Sequence, residues 1–285
     1  GKWMGKLVLL LPICYFAFIG WFIIVHTILL IKESFLPQTP EYVIAILLAI
    51  PGYMVARYGP RVQGRYSEMM FYMTIWMILF LLIPLRSGHW IHLLPLFKSG
   101  WEPIMNGSMS TLSSYIGVEI VFYIYPLLQK KQYAVQGMLI ANTLTLFVYL
   151  FVTILCFAFF SPEGITNLNQ PLLFLLKNLE FRFLERLDII ALALYVIIVS
   201  RTWMPYVYCS VFSTSRLLNQ QHHRSHTLLY FIAVVASVYF FQPTWNQSDV
   251  YRKFNQASIV ALLIIPAAMY VCVRSMETFR KWRTG

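Results

Sequence analysis

Two ionisable residues, Glu119 and Arg201, lie deep inside long apolar stretches of the sequence. Glu119 follows Gly107 by twelve residues, which places it about 18 Å along a helix that starts there. Arg201 follows Asp188 by thirteen residues and reaches a similar depth. A charge at the centre of a bilayer costs about 2.5–3.5 kcal/mol on insertion scales, so a partner or a polar cavity must compensate it. The sequence therefore predicts either a structural Glu119–Arg201 ion pair, or a Glu119 that faces a cavity and binds a proton or a ligand.

The residues that precede Glu119 are poorly suited to an uninterrupted lipid-facing helix. Residues 106–117, NGSMSTLSSYIG, are rich in glycine and serine. Unwound backbone is tolerated at membrane depth where it lines a cavity, and transporters bind substrates at such breaks. The alternative is a continuous helix whose small residues allow a neighbouring helix to approach closely. The sequence favours the broken helix.

A second polar segment surrounds Arg201 and reads SRTWMPYVY over residues 200–208. Thr202 and Tyr206 are four residues apart, so they share one face of a helix. Pro205 has no backbone N–H and therefore frees a carbonyl for another partner. The segment predicts a polar helix face near the middle of the membrane.

Histidines form two weaker candidate sites, His89-x-x-His92 and the cluster of His222, His223 and His226. Both could bind a metal, but both lie in solvent-accessible connections between apolar segments, and an interfacial position is the better explanation. The sequence has no HExxH, GxSxG, phosphate-binding loop or dinucleotide fingerprint. We therefore expect no enzymatic activity, no metal site and no cofactor.

The elements that must position these residues are long apolar helices. The chain has 285 residues, of which 59% are hydrophobic and 12% charged, whereas soluble domains carry about 25% charged residues. This composition predicts an all-α polytopic membrane protein. Eight apolar segments are candidate spanning helices, namely 7–31, 42–56, 69–85, 107–128, 134–160, 189–212, 228–241 and 257–273.

The net charge of +11 lies mainly in short connections between the apolar segments. This placement argues against nucleic acid as a partner and indicates topology signals instead. Most Lys and Arg residues fall in the connections on the N-terminal side, so both termini are predicted to be cytoplasmic. The four cysteines lie in apolar segments without disulfide or zinc spacing.

One of the long outer connections, residues 161–186, contains the apolar and charged sequence PLLFLLKNLEFRFLER at 171–186. This pattern suits a helix that lies on the outer membrane surface. Such a helix could close over a cavity as a lid, or it could simply anchor the protein at the interface.

Four blocks of sequence resemble the spore germination receptor B subunits (GerAB type), which belong to the amino acid–polyamine–organocation transporter superfamily. They occur in order along the chain as LPQTPEYVIA at 36–45, GPRVQGRYSEM at 59–69, SYIGVEIVFYIYPLLQ at 114–129 and LERLDIIALALYVI at 184–197. The resemblance implies one integral membrane domain with ten helices in two inverted repeats. The eight segments match the third to tenth helices, so the first repeat would be represented by 1–106 and the second by 107–285. We therefore expect the first two family helices to be missing from this chain.

The resemblance also implies a function and a site. It makes 107–128 one of the two broken helices and 161–186 the outer lid. The function implied is nutrient sensing in the spore inner membrane, with an amino acid bound at mid-membrane and the signal passed to partner A and C subunits. The implied ligand-binding residues are Tyr15, Ser113, Ser114, Gly117, Glu119, Thr202 and Tyr206.

Two other interpretations remain open at the level of the sequence. One is a proton-coupled amino acid transporter in which Glu119 carries the proton. The other is a structural membrane scaffold that binds no ligand. Because the first family helix would supply the other broken segment, its absence bears directly on ligand binding by this chain alone.

Overall fold

The computed structural model describes residues 2–86, 88–94, 100–111, 115, 117, 119–166, 168, 171–177, 187–220, 223–245 and 274–275. These residues form α-helices and short 3-10 turns, and none of them lies in a strand. The helices are α1 (Lys2–Ser34), α2 (Glu41–Ala56), α3 (Pro60–Ile75), α4 (Met77–Phe80), α5 (Trp101–Thr111), α6 (Ile120–Ile124), α7 (Ala134–Phe159), α8 (Pro162–Thr166), α9 (Pro171–Lys177), α10 (Leu187–Leu217) and α11 (Arg224–Phe241).

The predicted all-α membrane class is confirmed. Five apolar stretches within the described residues are long enough to cross a membrane, namely Pro12–Ser34, Pro60–Arg86, Lys131–Phe159, Ile189–Leu217 and Arg224–Phe241. Helix α2 is apolar but shorter, with 16 residues. The fourth predicted segment, 107–128, is interrupted, and the eighth, 257–273, lies outside the described residues.

The surface agrees with a lipid environment. Large apolar side chains are exposed along whole helices, for example Ile140 on α7 at 70% and Phe240 on α11 at 76%. Soluble monomers rarely expose apolar patches of this extent.

Two long helices, α1 and α10, pack along each other and form the centre of the fold. Together with α2 and α11 they enclose the largest apolar core, which includes Ile28, Trp203 and Phe231. Gly52 lets α2 approach this core, because a β-carbon there would lie 2.6–2.9 Å from ring atoms of Trp203 and Phe231. Real β-carbons essentially never come so close, so the packing of α2 on α10 and α11 requires glycine at this position.

A second apolar core joins α7, α9 and α10. Leu175 and Leu176 of α9 are buried against Leu155 of α7 and Leu194 of α10. Helix α9 is the described part of the predicted outer helix, whereas 178–186 lie outside the described residues. The buried face of α9 explains its attachment to the bundle, and its action as a lid stays a prediction.

Helices α1 and α2 are also joined by an ion pair next to the turn between them. Lys32 Nζ donates a hydrogen bond to Glu41 Oε1. This is the single Lys/Arg-to-carboxylate ion pair among the residues that the structure describes.

Candidate functional site

The helix that carries Glu119 is broken just before it, as the sequence predicts. The described part of α5 extends to Thr111, residues 112–114, 116 and 118 lie outside the described residues, and the short helix α6 begins at Ile120. Between them Gly117 has a φ of +126°, a conformation that favours glycine because it has no β-carbon. Ser113 and Ser114, which were predicted to contribute to the site, lie outside the described residues.

The carboxylate of Glu119 is held by three hydrogen-bond donors from three separate parts of the chain. Its Oε1 accepts hydrogen bonds from the hydroxyl groups of Tyr15 on α1, at 3.0 Å, and Tyr206 on α10, at 2.9 Å. Its Oε2 accepts the backbone N–H of Gly117 at 3.0 Å. The structure therefore brings together four of the predicted site residues, Tyr15, Gly117, Glu119 and Tyr206.

Aromatic side chains fix the two tyrosines in place. Phe16 is 2% exposed and Tyr206 is 1% exposed, and their ring centroids are 5.9 Å apart. The Tyr123 ring contacts Phe16 edge-on at 4.9 Å. Ile120 and Cys209 complete this small core. Hydrogen bonds in such apolar surroundings are stronger than in water, so the carboxylate is positioned before any ligand arrives.

The Glu119 carboxylate has fewer hydrogen-bond donors among the described residues than it can accept. An ionised carboxylate has about four acceptor positions, and three donors are identified. All three donors are neutral groups, and no Lys, Arg or His of the described residues forms an ion pair with Glu119. The carboxylate is therefore suited either to accept a hydrogen bond from an ammonium group or to bind a proton.

The predicted Glu119–Arg201 ion pair is not formed in the structure. The guanidinium carbon of Arg201 lies 5.9 Å from the ring centroid of Phe71 on α3. Its Nε atom is buried and has no hydrogen-bond partner among the described residues. The prediction failed because counting residues gives depth in the membrane but not direction around the helix axis. Arg201 and Tyr206 are five residues apart on α10, which turns them about 140° from each other.

The face of α10 near Arg201 has its own polar contacts with α3. Gln63 Nε2 donates a hydrogen bond to the Met204 carbonyl at 3.3 Å. The hydroxyl groups of Tyr66 and Ser200 are 2.6 Å apart and share a hydrogen bond. Gln63 and Tyr66 were not among the residues predicted from the sequence. Their spacing of three residues places them on one face of α3 and could have indicated a polar contact there.

Thr202 is the predicted site residue with the least structural support. It lies one turn before Tyr206 on α10, as the spacing requires, but its side chain is exposed. The structure assigns it no hydrogen bond to Glu119. Its role in ligand binding remains a prediction.

The histidines do not form a metal site within the described residues. The rings of His89 and His92 lie 5.6 Å apart, and His226 Nε2 is hydrogen-bonded to Gln220 Oε1 at 2.8 Å. The His223 ring packs edge-on against Tyr208, and His222 lies outside the described residues. No three potential metal ligands come together in the part of the chain that the structure describes.

The separation of the two charges leads to a testable prediction. We expect the effects of Glu119→Gln and Arg201→Gln on thermal stability to add within about 0.5 kcal/mol, because residues without shared partners behave independently. The measurement is thermal unfolding of the detergent-solubilised single and double variants. A double variant that regains the stability lost in either single variant would show that the two side chains pair after all.

Comparison with known proteins adds a family context to this geometry. Residues 1–247 match the family model described as "Spore germination protein". The chain is 24% identical over 216 residues to Spore germination protein GerQB of Bacillus cereus, which covers 76% of the chain and 59% of that relative. It is 24% identical over 288 aligned residues to Spore germination protein YndE of Bacillus subtilis, covering 99% of the chain and 77% of the relative. Spore germination protein A2 of Bacillus subtilis is 23% identical over 282 residues, covering 96% and 75%.

The chain thus spans 59% of the length of GerQB and about three quarters of the other two relatives. No solved structure matches the chain.

Proposed function

This chain belongs to the spore germination protein family, and from that premise we propose that it is the nutrient-sensing membrane subunit of a spore germinant receptor. The nutrient would be an amino acid, bound at the helix break between α5 and α6. Binding would trigger germination through partner A and C subunits in the spore inner membrane, with both termini of this subunit in the cytoplasm. The partners follow from the family resemblance, and the orientation follows from the distribution of basic residues.

The observation that carries the proposal is the Glu119 carboxylate at the helix break. It lies next to unwound backbone and accepts hydrogen bonds from Tyr15 and Tyr206. An α-ammonium group matches the remaining acceptor capacity of a carboxylate that forms no ion pair with a described residue. Many membrane transporters also bind substrates at discontinuous helices, where the unwound backbone and the helix ends contact the charged groups of the substrate.

The same observation supports a second candidate function, proton-coupled amino acid transport. A carboxylate deep in the membrane that forms no ion pair with a described residue can take up and release a proton. In that case Glu119 would alternate between the anionic state and a neutral state during each transport cycle.

Ligand analogues test the sensing proposal. The full-length protein in lipid nanodiscs is expected to bind one or more labelled amino acids, and the deaminated acid of the same side chain should bind at least about 30-fold more weakly. The reason is that loss of one partner from a buried charge pair costs 2–5 kcal/mol. The matched amine, which keeps the ammonium group, should lose less. Equal binding of the amino acid and its deaminated acid would contradict recognition of the ammonium group by Glu119.

A transport assay separates the two candidate functions. Proteoliposomes with an imposed proton gradient should bind the labelled amino acid without accumulating it if the protein is a sensor. Accumulation above the external concentration, abolished by dissipating the gradient, would establish the transporter instead.

A further inference from the structure

An apolar groove runs along the outer faces of α2 and α11. It has a volume of about 540 Å³. The two helices are antiparallel, since the Tyr42 ring at the start of α2 contacts the Tyr239 ring near the end of α11 at 5.6 Å. The groove reaches from this ring pair to Met54 and Leu228 at the opposite end. It follows α2 over the thirteen residues from Tyr42 to Met54, a rise of about 18 Å.

The lining of the groove includes two small residues, one on each helix. Ala49 of α2 and Ala236 of α11 both line it and leave unfilled volume. Ile50 and Phe240 are rim residues with 55% and 76% of their surfaces exposed. Phe231 is buried and forms the floor. Every lining residue is aliphatic or aromatic, or contributes a methionine side chain, so the groove suits a hydrocarbon ligand.

The end of the groove at Met54 and Leu228 is positively charged. Arg57 follows α2 directly, and its guanidinium carbon lies 5.6 Å from the centroid of the Tyr53 ring, which lines the groove. The Nε atom of Arg57 is buried and has no hydrogen-bond partner among the described residues. Its terminal nitrogen donates to the Tyr58 hydroxyl at 2.5 Å.

Helix α11 adds positive charge at the same end. It starts at Arg224, whose side chain is exposed, and the N-terminus of a helix carries a partial positive charge that favours anions. The sequence has no acidic residue from Arg57 to Ser67 or from Arg216 to Arg224. Among the described residues, no carboxylate forms an ion pair with Arg57 or Arg224, so the apolar groove ends at a positively charged mouth.

We propose that this groove binds an anionic phospholipid, with one acyl chain against Phe231 and the phosphate group between Arg57 and Arg224. The charge matches, because juxtamembrane arginines attract anionic lipid headgroups on the side predicted to be cytoplasmic. The length of about 18 Å is comparable to one leaflet of the 30 Å hydrocarbon core. The volume of about 540 Å³ lies within the range of small-molecule sites.

Native mass spectrometry of the full-length protein tests the charged end. Protein extracted in mild detergent is incubated with phosphatidylglycerol or with phosphatidylcholine of the same acyl chains. We expect phosphatidylglycerol to be retained more strongly, and Arg57→Gln and Arg224→Gln to reduce its retention about fivefold each. Lys131→Gln, which removes a positive charge outside the groove, is the matched control and should have no effect. Unchanged retention in the double arginine variant would overturn the proposal.

Filling the groove tests the apolar part. Ala49→Phe and Ala236→Phe should reduce the retention of both lipids, while Ala141→Phe places the same side chain on an exposed position of α7 and should not. Lipid retention that is insensitive to both groove variants would contradict the assignment. A dimer that the wild-type protein forms and Ala49→Phe abolishes would assign the groove to a second copy of the chain instead.

Discussion

Replacing Glu119 with alanine is expected to abolish nutrient binding and to lower the stability of the protein. The change leaves the Tyr15 and Tyr206 hydroxyl groups and the Gly117 N–H without their acceptor. Each buried polar group that loses its partner costs about 1–3 kcal/mol. Glu119→Gln keeps one acceptor oxygen but removes the negative charge, so it should preserve more of the stability while still abolishing binding of the ammonium group. The measurements are thermal unfolding and labelled amino acid binding in the same nanodisc preparation.

Matched variants make this prediction specific. Glu68→Gln removes a carboxylate from an exposed position on α3 and should change neither property. Tyr15→Phe and Tyr206→Phe each remove a donor while Glu119 keeps two others, so both should lose less stability than Glu119→Ala. Full ligand binding by Glu119→Gln would show that this carboxylate does not recognise the ligand, in either the sensor or the transporter.

Gly117→Ala is expected to distort the helix break and to weaken binding strongly. Gly117 has a φ of +126°, and such a backbone conformation costs a residue with a β-carbon about 1–3 kcal/mol. The β-carbon itself would lie 3.7 Å from the Tyr206 hydroxyl, an ordinary contact. The loss of stability and binding therefore comes from backbone strain. This strain shifts the Gly117 N–H, which donates a hydrogen bond to the Glu119 carboxylate.

A second glycine provides the control for this prediction. Gly137 lies inside α7, and a β-carbon there would meet nothing within 4 Å. Gly137→Ala should raise stability by up to about 1 kcal/mol, since alanine is the better helix former. Thermal unfolding should therefore show opposite changes in stability for the two variants. Amino acid binding is measured for both of them. A Gly117→Ala variant with normal stability and binding would show that the break does not depend on glycine.

The sequence alone was sufficient to predict the class of protein. A spanning helix can be recognised from its own segment of sequence, because a lipid-exposed backbone must satisfy its hydrogen bonds within its own helix. The helix break before Glu119 was also predictable, since glycine and serine between residues 106 and 117 weaken the helix locally. Rise per residue then placed Glu119 and Arg201 at similar depths.

The partners of those residues depended on the tertiary structure. Tyr15 and Glu119 are 104 residues apart in sequence, and their hydrogen bond exists because α1 packs along α10 beside the break. Arg201 faces Phe71 of α3 instead of the site, because a rotation of about 140° separates it from Tyr206. The groove beside Ala49 and Ala236 likewise appears only when α2 and α11 lie side by side. Depth follows from counting along one helix, whereas direction around the axis is set by the helices that pack against it.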